Sequence, residues 1–151
     1  MKLAEGVVSW VVTYKVTTPP FVSNTKVVEL YDSGLNTFSS VGNISEFRVG
    51  HTAVSTASNR IILCGGNQIL TGSPILSSCE LYDTGSMTVV GSGQMQTKRS
   101  GHTANLVNGS KIFIASGFDR VDTSTGIPGA NKSSELFDFN QFTSTSVYGE
   151  L

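Results

Sequence analysis

Arg99-Ser100-Gly101-His102-Thr103-Ala104, then Ile112-Phe113-Ile114-Ala115-Ser116-Gly117, then Glu135-Leu136-Phe137-Asp138 decide how this chain is read, because the same succession has already occurred once. Its earlier copy is Arg48-Val49-Gly50-His51-Thr52-Ala53, Ile61-Ile62-Leu63-Cys64-Gly65-Gly66 and Glu80-Leu81-Tyr82-Asp83. The acidic tetrad has a still earlier copy, Glu29-Leu30-Tyr31-Asp32. The first two tetrads are 51 residues apart, as are the two histidines, and the last two tetrads are 55 apart. A fixed period near 50 residues marks a repeat architecture built from one supersecondary unit. A residue that recurs once per unit is expected to serve the unit.

Each unit reads as four short strands. In the middle one they fall at 52–54, 60–64, 79–83 and 87–90, short apolar or alternating runs bounded by turn residues. Ser58-Asn59 and Asn108-Gly109 mark the first hairpin of their units. Between third and fourth strands stand Asp32-Ser33-Gly34, Asp83-Thr84-Gly85 and Asp138-Phe139-Asn140. The Asp predicts an Asx-turn, and the Gly or Asn two residues on predicts positive φ there. No helical periodicity competes, so the expected class is all-β. A single four-stranded unit cannot bury its apolar face, so the units must stack. A shift of 51 places residues 10–15 over the second strand, and Met1 falls just past the histidine. The first unit therefore begins without most of its first strand and has no glycine pair.

These motifs resemble kelch repeats, in which an Arg-x-Gly-His-like strand leads into an apolar strand ending in Gly-Gly and a third strand ending in Tyr-Asp. The resemblance covers about residues 25–146 and implies a kelch-type β-propeller segment of about three four-stranded antiparallel blades. The blades would be 1–47 (partial), 48–98 and 99–151. The chain departs from the pattern at Ser116, which replaces a glycine, and at Phe38, Val89 and Ser144, where a tryptophan is usual. Closed propellers use about 4 to 8 blades. An incomplete ring is therefore expected: a fragment, or one part of an assembly that self-association completes. The resemblance implies a non-catalytic protein-interaction module, a scaffold or adaptor. Its enzyme alternative is a galactose oxidase-like or sugar-binding propeller, whose copper is held by Tyr and His. No residue here matches those ligand motifs, so none is assigned.

Composition narrows the partners. Charged residues are 14% of the chain, below the roughly 25% of an ordinary soluble domain. Net charge is -1 and the basic residues are scattered, so neither nucleic acid nor an anionic membrane surface is an expected partner. No apolar run approaches the roughly 18 residues of a membrane span. Glu5 interrupts the only N-terminal stretch resembling a leader, so the cytoplasm is the expected compartment. The two cysteines form no C-x-x-C pair, which argues against zinc. Cys64 ends an apolar run and reads as a buried, inert thiol; a bridge to Cys79 stays open because both lie in one unit. Three sequons, Asn43-Ile44-Ser45, Asn108-Gly109-Ser110 and Asn131-Lys132-Ser133, are little more than the about two expected by chance in a chain so rich in Ser and Thr.

Catalytic constellations do not assemble. His51 and His102 are the only histidines and hold equivalent positions, so hydrogen-bonded imidazoles are expected rather than metal ligands. No G-x-S-x-G elbow is present. Neither enzyme activity nor a cofactor is expected. Glu29, Glu80 and Glu135 share a strand face with Tyr31, Tyr82 and Phe137. Their recurrence predicts pairing with Arg48 and Arg99. The scaffold set is thus His51, His102, Arg48, Arg99, Gly65, Gly66, Glu80, Tyr82 and Asp83.

Recognition is expected where the units differ. The second-to-third connection of the last unit is four residues longer than that of the middle one and carries Asp119, Arg120, Asp122 and Lys132. In an antiparallel unit it emerges beside the linkers that hold Glu46, Phe47 and Lys98. These seven residues are the candidate partner-binding set. The partner expected is a protein, with carbohydrate as the alternative.

Overall fold

The computed structural model describes residues 9–12, 15–16, 22–23, 26–68, 74–122 and 124–147, and every regular element among them is a strand. The first unit supplies β1 (Ser9–Val12), the short pair β2 (Lys15–Val16) and β3 (Val22–Ser23), then β4 (Val27–Asp32) and β5 (Thr37–Asn43). The second supplies β6 (Thr52–Thr56), β7 (Arg60–Cys64), β8 (Ser78–Asp83) and β9 (Thr88–Gln94). The third supplies β10 (Thr103–Asn108), β11 (Lys111–Ala115), the ribbon β12 (Phe118–Val121) and β13 (Pro128–Ala130), then β14 (Ser134–Asp138) and β15 (Thr143–Val147). Pairing follows chain order: β1-β4-β5 in the first sheet, β6-β7-β8-β9 in the second and β10-β11-β14-β15 in the third, all antiparallel. The first sheet departs from strict repetition. Trp10 pairs with Leu30, whereas its equivalent Ile61 pairs with Tyr82, a slip of one residue.

Alternation along the strands makes two cores. Ile61, Leu63 and Tyr82 turn one face of the second sheet onto Val28 of the first and Ile44 just beyond its last strand. Ile62, Cys64, Cys79 and Leu81 turn the other face onto Ile112, Ile114, Phe137 and Phe139 of the third. The second sheet is therefore apolar on both faces, which explains its unbroken run Ile61-Ile62-Leu63-Cys64, 5% exposed or less at every position. Each fully buried aliphatic side chain contributes on the order of 2 kcal/mol.

Cys64 and Cys79 are not free thiols. They are direct partners across β7 and β8, with Cα atoms 4.1 Å apart, and form a disulfide inside the second core. Adjacent cross-strand positions place two Cβ atoms within bonding reach, a juxtaposition that depends on the strand register.

The Asx-turns form as expected: Asp32, Asp83 and Asp138 each accept the amide N–H two residues on, at 2.8, 2.9 and 2.9 Å. The positive φ lies two residues later, at Asn36 (53°), Met87 (58°) and Phe142 (54°), not at Gly34, Gly85 or Asn140. The left-handed residue is thus the last of a four-residue connection, just before the next strand begins.

Gly65 shows why the second strand ends in glycine. Its φ is +65°, and a Cβ there would lie 2.4 Å from the Arg99 carbonyl oxygen and 2.7 Å from His102, both delivered by the third unit. Ser116 occupies the equivalent place with φ 66°, and it is exposed because no described unit covers it. Gly65→Ala is expected to lower stability by at least about 2 kcal/mol, from backbone strain plus displacement of the linker. Ser116→Gly should stay within about 1 kcal/mol of the parent. Urea unfolding of both variants checks this, and equal effects would contradict it.

Candidate functional site

Two buried ion pairs, equivalent by repeat, tie each linker to the sheet that follows it. The Arg48 guanidinium donates to Glu80 at 2.7 Å, to the Gly65 and Ser78 carbonyls at 3.0 and 2.8 Å, and to Ser78 Oγ at 2.9 Å. Glu80 also accepts the linker amides of Ser45 (2.7 Å) and Glu46 (3.2 Å). In the third unit Arg99 donates to Glu135 at 2.8 Å, to the Ser116 and Ser133 carbonyls at 3.0 Å each and to Ser133 Oγ at 3.0 Å. Glu135 accepts the amides of Gln96 (2.7 Å) and Thr97 (3.4 Å) and the Ser144 hydroxyl. Both arginine side chains are fully buried. Burial by itself raises the Glu80 pKa, but the Arg48 hydrogen bonds, the Ser45 amide and the Arg48 charge outweigh it and hold the carboxyl below its ordinary range. These carboxylates are structural acceptors, engaged by an arginine and by linker amides.

The histidines sit where β6 and β10 begin. His102 is 6% exposed, and its Nε2 lies 2.9 Å from the Thr52 hydroxyl, so the imidazole bridges the first strands of the second and third sheets. Burial, then the Arg99 charge, then His51 push its pKa down to about 4. His51 is lowered as well, by burial and by Arg48. Tyr82 donates from its hydroxyl to the Val41 carbonyl at 3.1 Å, pinning the second sheet to the first. Asp83 caps its turn and pairs with Arg60 at 3.2 Å. Among the described residues no three His, Cys, Asp or Glu side chains gather as a metal site, and no helix is long and apolar enough to cross a membrane.

The candidate recognition residues divide. Phe47 is buried, and Glu46 pairs with Arg48 at 3.1 Å and accepts the Ser78 hydroxyl, so both belong to the linker network. Lys98 and Lys132 are exposed. The connection carrying Asp119, Arg120 and Asp122 holds an antiparallel strand pair, with Arg120 opposite Gly129 and Val121 opposite Pro128. Asp122 accepts the amide and hydroxyl of Ser124 (2.8 and 2.6 Å) and the Thr125 amide (3.2 Å), bonds that hold its pKa low. It builds the ribbon's turn. Arg120 pairs with Asp119 at 3.0 Å while its side chain stays 70% exposed. Gly129 makes that posture feasible, because a Cβ there would lie 2.6 Å from Arg120 Cγ and Nε. Ile127, missed in the sequence reading, stands 63% exposed near the ribbon tip. The signal available was an isolated aliphatic residue in Gly126-Ile127-Pro128 within a polar stretch.

The ribbon rises on the face where the linkers meet: Ser100 bridges to Phe118, Val49 bridges to Asn67, and the Gly66 amide donates to the Arg99 carbonyl at 2.9 Å. A scan against protein-family models and a search of curated proteins each found no match for the chain.

The His102 environment has a pH signature. Its pKa falls from 6.5 to about 4 on folding, so between those values the unfolded chain binds more protons than the folded one. Stability is then complete above about pH 6.5 and declines as pH falls toward 4, by up to roughly 3 kcal/mol. Below 4.5 protonation of Glu80 adds a further loss in the same direction. Urea midpoints across pH 7.5 to 4 check this, with His102→Gln expected to make the profile shallower between 6.5 and 4, the remaining slope coming from His51. A parent profile that is level over that window would contradict it.

Proposed function

We propose that the chain is a kelch-type β-propeller segment acting as a non-catalytic protein-interaction module. The stacked sheets are its blades, and the face where linkers and ribbon meet is its recognition surface. Support comes from the conversion of the recurring residues into scaffold. Arg48 and Arg99 are buried in ion pairs with Glu80 and Glu135, and His102 bridges strands. The ribbon Phe118–Ala130 is the observation that carries the reading. It departs from the repeat, pairs as two antiparallel strands, and offers a cation (Arg120) and an aliphatic group (Ile127) to solvent on one projecting element. Arginine and apolar anchors of this kind concentrate binding energy when a partner desolvates them.

Ring completion is a second part of the same reading. The outward face of the third sheet presents Phe113 and Leu136, half-buried, at positions equivalent to the buried Ile62 and Leu81. Ser116 stands where a glycine admits the next linker, so a further unit would meet a Cβ where the third unit meets none. Any unit completing the ring on that side must approach less closely there.

The test is a pulldown from cells that make the protein, using as baits the parent, Arg120→Glu/Ile127→Asp, and Leu35→Asp. Leu35 is 73% exposed in the β4–β5 turn, away from the ribbon, and serves as the control. Asp122 is left intact because it holds the turn. Partners captured by the parent should fall at least tenfold with the ribbon variant and persist with Leu35→Asp. Equal recovery by all three baits would remove the ribbon as the recognition surface.

A further inference from the structure

We propose that, in an oxidising secretory compartment, this chain forms its Cys64–Cys79 bond and accepts N-linked glycans at Asn43 and Asn108 but not at Asn131. The proposal is independent of the interaction reading.

The disulfide is the first observation. Stable structural disulfides form in oxidising compartments and are rare where cellular reductants keep thiols reduced. Both cysteines are fully buried between the second and third sheets. The bond is an addition to the repeat, because the equivalent partners on the third sheet are Ala115 and Ser134 in the same register. It closes the connection from Gly65 to Ser78 at its base, where the third unit instead carries the ribbon.

The sequons are the second observation, since the fold sorts them. Asn43 is exposed at the end of β5, the outermost strand of the first sheet, and Ser45 of the same sequon is exposed too. Asn108 is exposed at the end of β10, beside the Gly109-Ser110 turn. Its neighbours Leu106 and Val107 are 43% and 57% exposed, an apolar pair that a glycan at Asn108 would screen. Asn131 differs. It is 5% exposed, its Oδ1 accepts the Ser133 amide and hydroxyl at 2.9 and 2.7 Å, and its Nδ2, the atom that would carry the sugar, is buried without a partner. Ser133 in turn accepts from Arg99 at 3.0 Å. A sugar on Asn131 would force this side chain out and open the Arg99–Glu135 network, so a chain modified there cannot reach this structure.

The chemistry uses the compartment's own donor, a lipid-pyrophosphate-linked oligosaccharide. A bond forms between Asn Nδ2 and C1 of the first sugar, the sugar–phosphate bond breaks, the lipid pyrophosphate leaves, and the amide proton passes to the transferase base. Redox balance at the cysteines requires a thiol-disulfide oxidant that takes two electrons and two protons per bond.

The full chain is directed into the secretory pathway of a eukaryotic cell and the secreted protein is collected. Peptide-N-glycosidase digestion in heavy-oxygen water, followed by peptide mapping, should show labelled Asp at 43 and 108 and unlabelled Asn at 131. Asn43→Gln and Asn108→Gln should each remove one glycan's mass. Thiol titration of the unfolded, unreduced protein should find no free thiol. Label at 131, absence of label at 43 or 108, free thiols at 64 and 79, or retention of the chain inside the cell with both sites unmodified would each overturn the proposal.

Discussion

A buried guanidinium held by a buried carboxylate governs how the sheets of this chain succeed one another. Arg48 and Arg99 have no exposed side-chain surface, so each needs its charge matched and its donors satisfied in place. Glu80 and Glu135 supply the charge, and strand-end carbonyls with the Ser78 and Ser133 hydroxyls take up the other terminal N–H groups, leaving only the buried Nε of each arginine without a partner. The same carboxylates take up the amides of Ser45 and Gln96, which have just left the previous sheet. One interaction therefore fixes three things: the end of one sheet, the course of the linker, and the third strand of the next sheet. Removing one partner of such a pair leaves an unmatched buried charge, at about 3–5 kcal/mol.

With the linkers held this way, hydrophobic alternation does the remaining work. The second sheet is apolar on both faces and nucleates both cores, while the first and third sheets each turn one face to it. Departures from the repeat then acquire meaning. Ser116 sits where no described unit needs the space, the Cys64–Cys79 bond has no counterpart on the third sheet, and the ribbon Phe118–Ala130 extends a connection that is shorter in the second unit. The interaction surface and the secretory maturation proposed above rest on such departures, as scaffold residues are already consumed by one another.

Much of this was legible in residue order alone. The 51-residue recurrence put strands close to where they are found, and the recurrence of the glutamates pointed to Arg48 and Arg99 as their partners; which carboxylate meets which guanidinium, Glu80 with Arg48 and Glu135 with Arg99, is read from the fold. Asp32, Asp83 and Asp138 announced their turns, yet the left-handed residue lay two positions beyond the Gly or Asn that suggested it. Side-chain size alone does not locate positive φ within a four-residue connection, as Met87 and Phe142 show. The disulfide was illegible because β7 and β8 are joined by a long connection, so spacing does not fix the register that sets Cys64 against Cys79. Asp122 looked like a recognition residue because it is charged and unrepeated, but its carboxylate is engaged in making a turn. Composition separates loops from strands; it does not separate a turn-building acid from a free one.

Native-state hydrogen exchange of the Ser45 and Gln96 amides tests the linker lock most directly. Both residues are exposed and lie outside any strand, so ordinary linker amides there would exchange as rapidly as those of an exposed hairpin turn such as Ser58. If buried carboxylates hold them, their protection will approach that of core amides such as Ile62 and Ile112. Exchange of both at the rate of Ser58 would show that the arginine–glutamate pairs do not fasten the linkers.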